Sequence, residues 1–123
     1  MAFDAHANFA ISAIAVAPTP PSSGTSVTVT AGDGTKFPAA PFNAVVCTAG
    51  TNPTSANAEI VRVTAIAGDV LTITRTQEST SARSIQVGDQ IFAAITAKTL
   101  TDIENSAPSG NSDQIVLPNQ IFA

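Results

Sequence analysis

The stretch Glu59-Ile60-Val61-Arg62-Val63-Thr64-Ala65-Ile66-Ala67-Gly68-Asp69-Val70-Leu71-Thr72-Ile73-Thr74-Arg75 reads as one β-hairpin. β-Branched residues fill both arms, and the Gly68-Asp69 pair supplies the left-handed backbone that a tight turn needs. Period-2 alternation puts Glu59, Val61, Val63 and Ala65 on one face of the first arm, and Leu71, Ile73 and Arg75 on one face of the second. With a loop of about three residues Ile66 pairs with Val70, and the two apolar sets share a buried face. That register sets Val61 opposite Arg75 with Glu59 diagonal to it. An Arg and a Glu at the mouth of an apolar face are expected as an ion pair at the rim of a core, worth little where exposed.

The same turn chemistry occurs at Ala31-Gly32-Asp33 and Val87-Gly88-Asp89, on either side of the hairpin. Thr25 to Thr30 alternates Val27 and Val29 against Thr and predicts a half-buried strand. Further strands are expected at Phe42 to Thr48, Ser84 to Val87 and Gln90 to Ile95, with polar loops at Ala49–Asn57 and Thr76–Arg83. Asn8 to Val16 also has strand composition before Pro18-Thr19-Pro20-Pro21 stops it, either as an arm on a neighbouring subunit or as an edge strand of its own domain. Thr96 to Glu104 has helical spacing through Ala97, Leu100 and Ile103, with Thr96 or Thr99 as cap. The fold class is therefore all-β: a small barrel or sandwich of short antiparallel strands, extended terminal segments and one short C-terminal helix. The expected division is an arm and elbow over 1–22, the β domain over 23–104, and a linker with an apolar tail over 105–123.

Composition narrows the classes of function. The chain has 123 residues, room for one core, which must be built from Val, Ile, Ala and a few Phe because Trp and Tyr are absent. Charged residues make up 11%, against about 25% in an ordinary soluble domain. Such a surface is easier to understand where other copies or other proteins cover it. The net charge is −4 and the five Lys and Arg are scattered, which argues against a nucleic-acid partner. Residues Phe9 to Ala17 are too short and polar to span a membrane. Ala15-Val16-Ala17 imitates a signal-peptidase site, but Asp4 and His6 ahead of it, with no Lys or Arg, are the wrong electrostatics for export.

Catalytic groups are sparse. The only histidine is His6, and Cys47 with it would make a catalytic pair only if something oriented them, which nothing in the sequence does; Cys47 reads as a small buried hydrophobe. Asp33, Asp69 and Asp89 occupy turn positions where Asp is expected on backbone grounds, and no Ca²⁺-loop spacing joins them. Gly32-Asp33-Gly34 lacks the spacing and the Lys of a phosphate loop. No catalytic, cofactor or metal residue is assigned.

Three segments carry a resemblance: Ser23-Gly24-Thr25-Ser26-Val27-Thr28-Val29-Thr30-Ala31-Gly32-Asp33-Gly34-Thr35-Lys36-Phe37-Pro38, then Ala58-Glu59-Ile60-Val61-Arg62-Val63-Thr64, then Leu71-Thr72-Ile73-Thr74-Arg75-Thr76-Gln77-Glu78-Ser79-Thr80-Ser81-Ala82. They are similar to a small β module that recurs in virion proteins of tailed bacteriophages, over roughly residues 23 to 104 of this chain. Where the usual module has Glu-Gly-Thr, this chain has Glu78-Ser79-Thr80. The resemblance implies a non-enzymatic part of a virus particle, assembled in the host cytoplasm. The module occurs in head decoration and head-fibre proteins and near the N-termini of tail fibres. Because the sequence stops at Ala123 with no shaft, a stand-alone capsid decoration protein is expected, with a neck, tail or fibre-attachment adaptor as the alternative. A carbohydrate-binding module for host surfaces is the third reading, weakened by the lack of Trp and Tyr platforms.

On this reading the partners are other copies, with a trimer favoured, and the major capsid protein or a tail or neck protein. Contacts are expected from Phe3, Phe9, Ile11 and Ile14 in the arm and from Ile115, Leu117, Ile121 and Phe122 in the tail. The alternative is that these residues complete the monomer's own core.

Overall fold

Strand pairing follows from the alternation, and the computed structural model shows it across residues 4–106. In chain order the strands are β1 (Ile11–Val16), β2 (Ser26–Val29), β3 (Phe42–Cys47), β4 (Glu59–Ala67), β5 (Val70–Gln77) and β6 (Gln90–Ala93). They form a closed antiparallel barrel in the order β1-β2-β5-β4-β3-β6, with β6 returning to β1. Closure leaves no unpaired strand edge, which resolves the barrel-or-sandwich choice. The barrel belongs to a unit spanning Asp4–Ile95; the helix α1 (Ala97–Ser106) belongs to a second unit. Within that second unit the Thr96 hydroxyl accepts the Thr99 N–H at 3.3 Å, the N-cap expected of Thr96, and Lys98 pairs with Asp102 one turn on at 2.6 Å.

Inward positions alternate as the sequence requires. Val27 and Val29, Val61 and Val63, Leu71 and Ile73 are all buried, with Ile14, Phe42, Ala44, Val46 and Ile91 completing the wall of the core. Phe37 stacks on Phe42 with ring centroids 6.0 Å apart, closing the core under the Asp33–Lys36 3₁₀ turn. Ile14 thus lies inside the barrel, 1% exposed, and offers no surface to a neighbour. The segment that could be an arm or an edge strand supplies β1, a full stave between β2 and β6.

The hairpin register differs from the expected one. The turn is two residues, so Ala67 pairs with Val70 and Ile66 with Leu71 rather than Ile66 with Val70. Gly68 takes φ 64°, the left-handed value such a turn demands. A bulge between Val63 and Ala65 then restores Val63 opposite Ile73, so Val61 and Val63 share the core with Leu71 and Ile73, while Ala65, expected on that face, is exposed and Ile66 packs against the core instead.

Ser84 to Val87 is not a strand. Ile85 is buried in the core, but its N–H goes to the Pro21 carbonyl at 3.1 Å and the Gln86 N–H to the Asp89 carboxylate at 2.9 Å. With those donors satisfied by the elbow and by one side chain, no ladder is required. The Glu78-Ser79 turn after β5 has positive φ at both residues, 53° and 64°. Ser79 therefore stands where a glycine would be conformationally free.

Candidate functional site

Two features of the barrel have the chemistry to serve as a site: a buried ionic cluster at one end of the β4–β5 hairpin, and an apolar band on the outer face of β1, β6, β3 and β4.

The cluster begins with Glu59, the first residue of β4, whose side chain is fully buried, and Arg75 on β5, whose side chain is 8% exposed. The Arg75 Nε and Nη2 donate to the two Glu59 carboxylate oxygens, each at 2.8 Å, in the bidentate fork that suits this pair. The backbone N–H groups of Thr76 and Arg83 donate to the same carboxylate at 2.8 and 2.9 Å. Arg75 spends its remaining donors on the carbonyls of Pro21, Gly24 and Arg83 at 3.2, 3.0 and 2.7 Å. All five guanidinium N–H groups are thus used, and they tie the proline elbow and the Arg83 segment to the hairpin. Arg83 extends the cluster, with Nη2 on Asp89 at 2.6 Å and Nη1 on the Asn57 carbonyl at 2.5 Å.

Burial by itself would push the Glu59 carboxyl up, but the bonds from Arg75 and from the Arg83 and Thr76 N–H groups together outweigh it and hold the carboxyl below its ordinary value. A carboxylate so fully enclosed by its own chain has no lone pair left for a substrate. The cluster therefore works as a staple. The ion pair at the rim expected from sequence is in fact buried, and removing one partner is correspondingly more costly because it strands the other charge.

The turn aspartates have similar internal duties. Asp69 accepts the N–H groups of Gly32 and Gly34 at 3.1 and 2.9 Å, and Asp33 accepts the Ser12 hydroxyl at 2.7 Å while pairing with Lys36 at 3.2 Å. The Ser12 hydrogen bond, then that of Lys36, holds the Asp33 carboxyl below its ordinary value. Among the described residues no three His, Cys, Asp or Glu side chains converge as metal ligands. Cys47 is fully buried with Gln90 Nε2 on its sulfur at 3.0 Å, whereas His6 lines an open groove.

The outer band follows from register. Ile11 pairs with Phe92, Phe92 with Val45, and Val45 with Ile60, so one cross-strand row of apolar side chains crosses four strands on the outside. At the β1 end stand Phe9, Ile11 and Ile95, which are 89%, 45% and 69% exposed. At the β4 end, the 48–58 loop arches over Val45 and Ile60 and leaves a groove of about 280 Å³ that Pro53, Ala58 and Thr80 also line. Beside this band Arg62 holds Asp4 through two bonds of 3.0 Å and Asn43 at 2.9 Å, so charge there is matched.

Of the residues expected to make contacts, Phe9 and Ile11 are exposed and adjacent, and Ile14 is core. Phe3, Ile115, Leu117, Ile121 and Phe122 lie outside the described residues. Sequence reasoning did not place the half-buried Phe92 and Ile60, or the buried Val45 between them, on the outward side of the barrel. The available signal was the run Ala44-Val45-Val46-Cys47, which is apolar at both parities and so implies cover on both faces of β3. Comparison of the chain with protein-family models finds no match, and comparison with the curated proteins finds none.

Proposed function

We propose that the chain is a non-enzymatic structural protein of a tailed-bacteriophage particle, a capsid decoration protein acting through association of its copies and contact with the major capsid protein. The observation that carries this reading is where its titratable and apolar groups lie. The polar residues shared with the phage module, Asp33, Glu59, Arg75 and Glu78, bond within the chain, while large apolar side chains stand outside the barrel. A protein whose charges hold its own fold and whose uncharged surface faces outward is built to be covered.

Gly34, Asp69 and Phe37 brace one end of the barrel, and Glu59 and Arg75 brace the other. The resemblance is thus a resemblance of scaffold, which suits a part reused in several positions of a particle.

Light scattering on the full chain tests the association. The expected result is one species of three times the 12.4 kDa chain mass, constant over a wide range of concentration. A monomer at every concentration contradicts the proposal.

A further inference from the structure

Ahead of β1 the chain forms a strap, Asp4 to Phe9. It leaves the barrel where the Ala93 N–H donates to the Ala10 carbonyl at 2.9 Å, and it reaches past β3 to Arg62 on β4. Residues 5–9 are all exposed. Among the described residues, no backbone hydrogen bond joins the segment from Asp4 to Asn8 to a strand. The strap also stands off the barrel, leaving an open groove of about 440 Å³ between residues 6–9 and Ala93, Ala94 and Ile95. Within these residues, the Asp4 carboxylate is what holds its far end. Ordering an exposed segment costs backbone freedom at every residue, and one part-exposed ion pair offsets little of that. The seated and lifted strap are therefore close in free energy, as befits a segment with few buried contacts.

Arg62 does not depend on the strap for its position. Asn43 lies directly across from it on β3 and is 3% exposed. Its Oδ1 accepts Arg62 Nη1 at 2.9 Å, and its Nδ2 donates to Glu78 Oε2 at 2.7 Å. The Glu78 bond sets which way the amide faces, and the amide orients the guanidinium. Asp4 then meets Nη1 and Nη2 with one oxygen each, both at 3.0 Å, the two-pronged match of guanidinium and carboxylate. The other cations are paired differently. Arg75 and Arg83 are locked to Glu59 and Asp89, and Lys36 and Lys98 to acids three and four residues away, whereas the carboxylate on Arg62 comes from a segment outside the strands.

We propose that Arg62 and Asn43 form a seat for a carboxylate, which Asp4 fills as an internal occupant and which an acidic side chain of a partner protein takes over when the strap lifts. The proposal stands on the geometry of the seat and not on the self-association advanced above. Its present occupant shows the chemistry the seat accepts. Exchange of one carboxylate for another leaves the local charge balance as it is, so the partner's acid replaces Asp4 without adding a negative charge. A phosphate dianion fits less well, because Glu78 lies on the other side of Asn43 and opposes the extra charge. Asp4 competes from a short tether, so a partner must supply further contacts or several acids to displace it, and a solitary carboxylate binds the closed seat weakly.

The test titrates acetate into the full chain and into an Asp4→Ala chain at constant ionic strength, following the Arg62 guanidinium and Asn43 amide resonances by NMR. Asp4→Ala should keep the wild-type unfolding midpoint and show a saturable shift at both residues, at several-fold lower acetate than wild type needs. In wild type, saturation should carry the Ala5 to Asn8 resonances to random-coil positions as the strap lifts. Arg62→Lys in the Asp4→Ala background keeps the charge and loses the fork, and should weaken the acetate response several-fold; inorganic phosphate should shift the same resonances less than acetate does. A linear, unsaturated response in Asp4→Ala overturns the seat, and so does an equal response with Lys at position 62 or with phosphate. A strap that stays in place while acetate saturates the wild-type seat overturns the exchange.

Discussion

A Glu59→Ala chain is expected to lose about 3–5 kcal/mol of stability, a large share of the roughly 5–15 kcal/mol that a domain possesses. The substitution removes the partner of a guanidinium whose side chain is 8% exposed and leaves the Thr76 and Arg83 N–H groups without their acceptor. A urea unfolding curve measures the loss. A change under about 1 kcal/mol, the range of surface pairs, would show that water reaches the cluster.

The same residue gives the fold an acid limit with a definite sign. Its carboxyl is held below the ordinary value of 4.5, so the stability it contributes is fully present above that pH. It is lost as pH falls through the lowered folded value. Wild type should therefore weaken in acid more steeply than Glu59→Gln over the range below 4.5. Asp33 is lowered too and contributes in the same range, but it is present in both chains and drops out of the difference.

Gly34→Ala is expected to cost about 3 kcal/mol, at the top of the usual range for overpacking. An added Cβ would lie 1.9 Å from the Gly68 carbonyl oxygen and 2.8 Å from its carbon. Both are backbone atoms of the β4–β5 turn, so relief requires moving the turn and giving up the Asp69 bond to the Gly34 N–H. Gly32→Ala in the same loop separates crowding from strain: its Cβ meets open space, and only the φ of 86° is penalised. It should cost about 1 kcal/mol. Equal effects at the two glycines would contradict the close approach of the two loops.

The barrel was legible because its strands alternate and its turns carry Gly-Asp. Val27 and Val29, Val61 and Val63, Leu71 and Ile73 all turn inward as period-2 reading requires. Bulges and turn lengths were not legible, since a two-residue turn and the Val63–Ala65 bulge offset each other as far as Val63 and Ile73, and only beyond the bulge does the parity change, with Ala65 exposed and Ile66 against the core. Ile85 misled in another way. It is a core residue, but its N–H goes to the Pro21 carbonyl and that of the next residue, Gln86, to the Asp89 carboxylate, neither of which is signalled by strand alternation. The worth of Glu59 was hidden because enclosure by Arg83 and the proline elbow depends on chain closure, not on the spacing of Glu59 and Arg75. Phe9 was marked as a contact residue from composition alone; its exposure and left-handed backbone are visible only in three dimensions.

The most direct measurement is the protein composition of virus particles purified from the source of the sequence, with heads and tails separated and each protein counted by quantitative mass spectrometry. The account predicts this chain in washed heads, at a copy number in fixed proportion to the major capsid protein. Its absence from the particles, or its recovery only as free protein in the lysate, would contradict the account.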